Sequence, residues 1–265
     1  MNIVVLVKQV PDTSEIKIDK ETNTLIRTGV KSIINPDDLA GIEEALKLKE
    51  TYGGTVSVVT MGPKQAEMML RELYSRGVDQ TYLISDRKFA GSDTLATSTI
   101  LSSFLKTLSF DLIIAGYQAI DGDTAQVGPQ VAELLGIPQA TYLQEIVSYQ
   151  SNRLIVKKRT KHEIQTLRVK TPCLITTLSD MNKPRYMNAY DIFNSSDKEV
   201  QLITFDDLNV DETKVGLKGS PTWVKKTFVK PVVQKSPVEV MEPEEAAKLI
   251  AKKIYPYIEV NNHES

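Results

Sequence analysis

The residues best placed to do chemistry lie between Gly116 and Pro129, where glycines, carboxylates and hydroxyls are interleaved. An apolar run at residues 112–115 precedes them and predicts a buried strand. After them, Val127, Val131, Leu134 and Leu135 share one helical face, and Gly136 is suited to end that helix. A strand, a glycine-bearing loop and a helix N-terminus present backbone N–H groups and a positive dipole end to an anion, usually a phosphate. An ordinary strand-to-helix turn with a good cap is the alternative.

Two carboxylates in this loop oppose a simple phosphate site. Asp121 and Asp123 are negatively charged at neutral pH, so a phosphate would have to be held by amides and hydroxyls such as that of Thr124. The carboxylates would then serve in helix capping or in contacts to a ribose. Either Asp123 or Thr124 is suited to cap the following helix.

Composition excludes several classes of function. The 265 residues include 32 Lys and Arg against 34 Asp and Glu, a net charge of −2, which gives no electrostatic case for nucleic acid or an anionic membrane. The single cysteine, Cys173, lies in an apolar run and is expected to be a buried, inert thiol rather than a nucleophile. The two histidines lack metal-ligand spacing, so no metal site is expected. No apolar run is long enough to span a membrane, and we expect a cytoplasmic protein.

Strands and helices alternate through the first half of the chain. Apolar runs predict strands at residues 3–7, 55–61, 81–85 and 112–115, and helix-start signals follow three of them. The strongest start is Asn35-Pro36-Asp37-Asp38, where Asn can cap, Pro suits the first turn and the acids favour the positive dipole end. The predicted fold class is therefore α/β, a Rossmann-like and mostly parallel sheet with helices on both faces.

Ligands of such sheets bind beyond the carboxyl ends of the strands. Four segments are expected at that edge: residues 8–13, residues 61–63, the turn near Ser92, and residues 116–127. One ligand contacting several of them would be an economical arrangement.

The second half has a different pattern. Strands are predicted at residues 144–149, 154–158, 165–169 and 174–178, with few helices between them. The basic run at residues 157–162 is either a solvated face or an anion site. An apolar cluster of Tyr190, Ile192 and Phe193 is either a helix resting on the core or an exposed docking loop.

A looser segment begins at Asp206. Glycines and prolines interrupt it, so it is expected to lie across another surface before a last helix begins near Pro243. We therefore divide the chain into a nucleotide-binding domain, residues 1–205, and a C-terminal arm ending in a helix, residues 206–265. A partner subunit or the chain's own domain can provide the surface beneath this arm.

With these features in place, the chain resembles the beta subunit of an electron transfer flavoprotein over nearly its whole length. The motifs that carry the resemblance are VKQVPD (residues 7–12), NPDD (35–38), MGP (61–63), GYQAIDGD (116–123) and PRY (184–186). The signature segment of the second half matches in part, with Lys161 and His162 departing from the usual residues.

The resemblance implies a Rossmann-like domain and a C-terminal arm that wraps an alpha subunit carrying a mobile FAD domain. In ordinary members the beta subunit holds a structural AMP. Carried over position by position, that site comprises Leu6, Asn35, Pro36, Asp37, Asp38, Met61, Gly116, Tyr117, Gln118, Ala119, Ile120, Asp121, Gly122, Asp123, Thr124, Ala125, Gln126 and Val127. Ala125 and Val127 replace two polar side chains of the family's loop, which leaves phosphate contacts to the amides and Thr124.

Two further motifs are similar to those of an electron-bifurcating subset, whose beta subunit binds a second FAD in place of AMP. They are GSDTLAT (residues 91–97) and GDTAQVGP (122–129). This likeness implies NADH as electron donor, and transfer of one electron through the alpha-subunit FAD to an acyl-CoA or 2-hydroxy-acid dehydrogenase and of the other to ferredoxin or flavodoxin. Asp93, Thr94 and Thr97 would contact the flavin or its pyrophosphate, or else cap a helix. The chemistry belongs to the flavin, so no catalytic acid or base is assigned.

The family's dehydrogenase-recognition loop corresponds to residues 186–193. Ala189 stands where the family has a leucine anchor, and Tyr190, Ile192 or Phe193 could take its place. One alternative function is a non-bifurcating subunit that holds AMP and docks acyl-CoA-type dehydrogenases. Another is a protein that senses or hydrolyses adenine nucleotides, which would need a Gly-Lys-Thr type phosphate loop that the sequence lacks.

Overall fold

The computed structural model describes residues 1–12, 17–18, 25–26, 31–195, 197–223 and 239–261. The chain forms two compact units, Met1–Thr227 and Phe228–Ser265, and each is described by itself.

The first unit alternates strands and helices and then forms antiparallel hairpins. Its elements are β1 (Asn2–Leu6), β2 (Gln9–Pro11), β3 (Lys17–Ile18), β4 (Leu25–Ile26), β5 (Ser32–Ile34), α1 (Pro36–Tyr52), β6 (Thr55–Met61), α2 (Ala66–Tyr74), β7 (Gln80–Ile84), α3 (Thr94–Leu105), β8 (Leu112–Gly116), α4 (Val127–Leu135), β9 (Gln139–Gln150), β10 (Arg153–Arg159), β11 (Ile164–Lys170), β12 (Cys173–Thr177), α5 (Ala189–Asn194) and β13 (Gln201–Ile203). The strands expected from the sequence are present, most of them close to their predicted bounds, although β9 begins at Gln139 rather than at residue 144.

A nine-stranded sheet in the order β11-β10-β9-β12-β8-β1-β6-β7-β13 is the centre of this unit. The strands from β9 to β13 along that order pair in parallel, whereas β10 is antiparallel to both of its neighbours. The predicted α/β class with a mostly parallel sheet is therefore confirmed.

Alternate residues of the buried strands contact two separate clusters, one on each face. In β1, Ile3 and Val5 pack with residues of α1 and α2, such as Ile42. Val4 and Leu6 pack on the opposite face with residues of α3 and α4, such as Phe104 and Val131. Because successive strand residues point to opposite sides, β1 is buried on both faces, and the predicted covering of both faces by helices is confirmed.

Part of the segment predicted to be an arm belongs to this first unit. Leu208 and Val215 are 8% and 2% exposed and lie in the cluster that α3 helps to form. The segment therefore does lie across another surface, and up to residue 223 that surface is its own domain. A domain boundary at residue 205 stays a prediction.

The described part of the second unit is dominated by α6 (Pro243–Asn261), which begins where the sequence predicted and contains Pro256. Ile250, Ile254 and Tyr255 on this helix are 56%, 47% and 62% exposed. Residues 224–238 of the predicted arm lie outside the described residues.

Two expectations about the whole chain are tested by the described residues. No helix among them is long and apolar enough to cross a membrane. Cys173 is fully buried, and burial raises the pKa of its thiol to about 12, so the thiol is unreactive as predicted.

Candidate nucleotide-binding site

A cavity of about 390 Å³, here called the cleft, opens at the carboxyl edge of the parallel strands. The ends of β1, β6 and β8 and the first turns of α3 and α4 surround it. Its base is apolar, with Leu6, Val59, Met61, Leu101 and Ala115, and hydroxyls of Thr94, Thr97 and Thr124 lie among its polar lining. Its size falls in the range of about 300–1,000 Å³ that small-molecule sites occupy.

Most of the residues predicted to bind a nucleotide line this one cleft. They are Leu6, Asp38, Met61, Asp93, Thr94, Thr97, Gly116, Tyr117, Gln118, Ala119, Gly122, Thr124, Ala125, Gln126 and Val127. The remaining predicted residues, Asn35, Pro36, Asp37, Ile120, Asp121 and Asp123, are not among its lining residues. Several of these instead support the loop between β8 and α4.

Asn35 is fully buried and fixes the loop through two backbone hydrogen bonds. Its Nδ2 donates to the Gln118 carbonyl at 2.8 Å, and its Oδ1 accepts from the Ile120 N–H at 3.2 Å. Predicted as a helix cap, Asn35 makes no side-chain cap bond to α1. Its side chain is thus committed to the loop, where it supplies partners to two partly buried backbone groups.

Asp38 joins the two segments that border the cleft. Its carboxylate accepts from the Lys8 N–H at 2.7 Å and from the Gly116 N–H at 3.0 Å. Burial raises the pKa of Asp38 to about 7, although these bonds favour the charged form. A Cβ at Gly116 would overlap the Asp38 carboxylate and lie 2.9 Å from Asp37 Cβ, so only glycine allows this approach.

The loop holds two residues in the left-handed region. Asp123 and Ala125 have φ of 48° and 53°, which is uncommon for residues other than glycine and costs about 1 kcal/mol or more each. Asp123 accepts a hydrogen bond from Gln118 Nε2 at 3.0 Å. Backbone strain of this kind is typical of functional loops whose surroundings over-determine the conformation.

The prediction that Asp123 or Thr124 caps α4 is wrong. The cap position is Gln126, and no described side chain makes a cap bond there, because the left-handed residues turn the loop before the helix begins. The first amides of α4 therefore remain available beside the cleft. Gly128 lets this turn approach the sheet, since a Cβ there would lie 3.0 Å from Thr176 Cγ2.

α3 contributes the opposite side of the cleft. The Asp93 carboxylate caps α3 by accepting from the N–H groups of Leu95 and Ala96, both at 3.0 Å. Thr94 Oγ1 donates to Gln126 Oε1 at 2.8 Å, so the starts of α3 and α4 are joined directly. Asp93 therefore caps α3, as the helix-cap alternative expects, and it also lines the cleft together with Thr94 and Thr97.

Lys8 was not among the predicted site residues. It follows β1 directly, and its Nζ is 2.8 Å from both carboxylate oxygens of Asp121 across the mouth of the cleft. Within the described part of the chain, Lys8 is the only cationic side chain that lines the cleft. Residues 8–13 were expected at this edge because they follow a strand, although Lys8 itself was not assigned to the nucleotide. Val7, Val59, Leu101, Ala115 and Gly128 were also not assigned because their contribution depends on tertiary packing, whereas Ser92 lies in the turn that was expected at this edge.

Two tyrosines extend the rim. Tyr117 lines the cleft and its hydroxyl is 3.1 Å from that of Tyr142, with ring centroids 4.3 Å apart. This hydrogen bond raises the pKa of Tyr117. Tyr142 has a φ of 61° and lies at a shift in register between β9 and β12.

The predicted docking residues lie together on the short helix α5. Tyr190, Ile192 and Phe193 are 77%, 49% and 81% exposed, and Ala189 at the start of the helix is also exposed. Each of the two alternatives is met in part: the segment is a helix rather than a loop, but it is exposed rather than resting on the core, because α5 buries none of its residues.

Arg185 fixes the chain just before α5. Its guanidinium bonds to Glu43 at 2.9 Å and to Glu50 at 2.5 Å, and both bonds raise the pKa of Arg185. Arg76 donates to the Arg185 carbonyl, so α1 and the turn that follows α2 together hold this segment. The apolar surface of α5 is thus exposed on a rigid base.

The fold and the cleft define a Rossmann-like protein with a nucleotide-sized site at the carboxyl edge of its sheet. Residues 22–208 match the electron transfer flavoprotein domain family. The chain is 49% identical over 254 residues to the electron transfer flavoprotein subunit beta of Clostridium acetobutylicum, covering 96% of this chain and 98% of the relative. It is 46% identical over 239 residues to the acryloyl-CoA reductase electron transfer subunit gamma of Anaerotignum propionicum, covering 87% and 89%. Over 233 residues it is 44% identical to the caffeyl-CoA reductase-Etf complex subunit CarD of Acetobacterium woodii, covering 87% and 88%.

The chain belongs to the electron transfer flavoprotein family, as a beta subunit, and its function is electron transfer. Such subunits pair with an alpha subunit and with dehydrogenases, and the family is flavin-associated. The resemblance read from the sequence motifs is confirmed.

Proposed function

We propose that this beta subunit binds FAD in the cleft and takes part in flavin-based electron bifurcation with NADH as donor. The observation that carries the proposal is that residues from both segments, 92–97 and 116–128, line the same cleft. These are the two segments whose motifs are similar to those of bifurcating members. The relatives named as subunits of acryloyl-CoA reductase and of a caffeyl-CoA reductase-Etf complex support the same assignment.

The cleft has the chemistry that a dinucleotide requires. The amides at the start of α4 suit a pyrophosphate, and Thr94, Thr97 and Thr124 supply hydroxyl groups around them. Its apolar base suits a planar ring, and Lys8 supplies positive charge at the mouth. A bound flavin would supply hydride acceptance and the release of single electrons. The role of the protein side chains is to orient the ligand and to exclude water.

The docking surfaces follow from the exposed apolar residues. We propose that Ala189, Tyr190, Ile192 and Phe193 contact a flavin dehydrogenase of the acyl-CoA or 2-hydroxy-acid type. Their support is the exposed side chains on α5 and the base that Arg185 fixes. The exposed apolar residues of α6 favour contact of the second unit with the alpha subunit. Ferredoxin or flavodoxin as the second acceptor and a cytoplasmic location stay predictions.

One observation favours the alternative of a structural AMP and no bifurcation. The volume of about 390 Å³ lies near the lower end of the range for small-molecule sites, which suits a mononucleotide. In that case the subunit would support the alpha-subunit flavin and dock a dehydrogenase without accepting hydride itself.

An anaerobic NADH titration distinguishes these functions. The chain is co-purified with its alpha subunit, and flavin reduction is followed by absorbance as NADH is added. Rapid reduction that consumes NADH in proportion to two flavins per heterodimer is the expected result. If the flavin of the heterodimer stays oxidised after NADH is added, that result would contradict the bifurcating function.

A further inference from the structure

Asp93 uses both carboxylate oxygens inside the protein. Oδ1 accepts the two N–H groups that cap α3, and Oδ2 accepts from the Thr222 N–H at 3.0 Å and the Thr222 hydroxyl at 2.7 Å. The Asp93 N–H donates to Ser220 Oγ at 2.8 Å. Within the described residues, Asp93 is therefore committed to structure, and a role as a direct ligand of the nucleotide would require it to give up these bonds.

Residues 215–222 pack closely around the turn that precedes α3. The Leu217 N–H donates to the Ala90 carbonyl at 3.1 Å, and the Gly216 N–H donates to Ser92 Oγ at 3.1 Å. Gly91, at a φ of 77°, allows this approach, since a Cβ there would lie 3.3 Å from Leu217 Cβ. The segment 215–222 is thus fixed to the same turn that supplies Asp93.

This turn also borders the cleft. Ser92, Asp93, Thr94 and Thr97 line it, and Thr94 reaches Gln126 on the loop before α4. A ligand that bonds to the first turn of α3 fixes the backbone to which residues 220–222 are attached. Downstream of Thr222 the chain leads into the second compact unit, which begins at Phe228.

We propose that Asp93 is a positioning residue that attaches residues 220–222 to the side of the cleft, so that nucleotide binding and the ordering of this segment are coupled. The inference rests on the proposed nucleotide site and adds a role for Asp93 that is distinct from ligand contact. By thermodynamic linkage the coupling is reciprocal: fixing the segment tightens nucleotide binding, and nucleotide binding fixes the segment.

Two substitutions separate this role from helix capping. Asp93→Asn keeps an oxygen for the α3 amides, and asparagine caps helices as well as aspartate does, but its Nδ2 cannot accept from Thr222. Thr222→Val removes only the hydroxyl donor. Ser103→Ala is the matched control, because Ser103 Oγ donates to the Asn209 carbonyl at 3.1 Å from the same helix and Ser103 does not line the cleft.

The experiment uses the full chain with its alpha subunit after the bound nucleotide has been removed. AMP and FAD dissociation constants are measured by equilibrium dialysis, and hydrogen exchange of residues 215–223 is measured with and without saturating AMP. In the wild type, AMP is expected to slow exchange in this segment. In Asp93→Asn, AMP is expected to bind about tenfold more weakly, equivalent to about 1.4 kcal/mol, and to leave exchange in the segment unchanged. Thr222→Val should have a smaller effect that disappears when it is combined with Asp93→Asn.

The outcomes that oppose the inference are distinct from those that oppose the nucleotide site. If Asp93→Asn binds AMP with the same affinity as the wild type, and AMP protects residues 215–223 from exchange equally in both, the coupling would be overturned and the nucleotide site would stand. A wild type that binds neither AMP nor FAD would overturn both. Equal weakening in Ser103→Ala would show a general loss of packing and would also overturn the coupling.

Discussion

Replacing Gly116 with alanine tests the contact on which the loop depends. The added Cβ would overlap the Asp38 carboxylate and lie 2.9 Å from both Asp37 Cβ and the Asp38 backbone nitrogen. The carboxylate cannot move away easily, because it accepts N–H groups from two different segments and is buried. The mutation should therefore strain the start of α1 and the end of β8 together.

The expected magnitude follows from two costs. Overpacking a well-packed site costs about 1–3 kcal/mol, and losing a hydrogen bond to a charged group costs about 1.5–3 kcal/mol. If each cost lies in the lower half of its range, the two together lower the free energy of unfolding by about 3 kcal/mol. For a unit of this size, that corresponds to a melting temperature lower by roughly 6–12 °C.

The assay is urea unfolding followed by circular dichroism, with Gly122→Ala as the matched control. Position 122 lies on the same loop, but a Cβ there has no atom within 4 Å, so its stability should change by less than about 0.5 kcal/mol. Equal and small effects of the two substitutions would refute the close approach of Gly116 to Asp38.

Three further predictions concern charge and docking. Burial raises the folded-state pKa of Asp38 to about 7, so the contribution of Asp38 to stability is fully present below about pH 4 and is lost as the pH rises through 7. In Asp38→Asn, the free energy of unfolding measured in urea should therefore depend less on pH between these values. Lys8→Met should weaken AMP binding measured by dialysis, whereas Asp121→Asn, which frees Lys8, should strengthen it. Phe193→Ala should raise the dehydrogenase concentration for half-maximal electron transfer about tenfold, and Ile164→Ala, on the opposite sheet edge, should not.

Each of these has a contradicting result. If the unfolding free energy of Asp38→Asn has the same pH dependence as that of the wild type, a group other than Asp38 titrates in this pH range. Loss of AMP binding in both Lys8→Met and Asp121→Asn would show that the ion pair itself, rather than the Lys8 charge, supports the cleft. A parallel loss of thermal stability in Phe193→Ala would show that Phe193 serves the fold instead of docking.

The sequence was sufficient for the architecture. The continuous β-branched run of β1 predicts a strand buried on both faces, and the alternation of strand and helix predicts the parallel sheet. The carboxyl-edge rule then placed residues 8–13, residues 61–63, the turn near Ser92 and the loop after β8 at one edge, and the cleft brings together Lys8, Met61, Ser92 and that loop.

The roles of individual polar residues were harder to predict. Asn35 reads as a helix cap from its position before Pro36, yet the nearby loop offers it two backbone partners, which only the tertiary structure reveals. Asp123 reads as a cap for α4, but its left-handed backbone lets the loop turn before the helix. The partners of Asp93 lie 127 and 129 residues away in sequence, beyond the reach of local patterns.

The most direct test of the central claim is the nucleotide content of the heterodimer. The chain is co-expressed with its alpha subunit, purified without added flavin and denatured, and the released FAD and AMP are counted by chromatography. We predict two FAD and no AMP per heterodimer for the wild type, and one FAD for Gly122→Val, because Gly122 lines the cleft and a Cβ added there meets no protein atom within 4 Å. One FAD and one AMP in the wild type would contradict FAD binding in the cleft, and unchanged content in Gly122→Val would contradict the site itself.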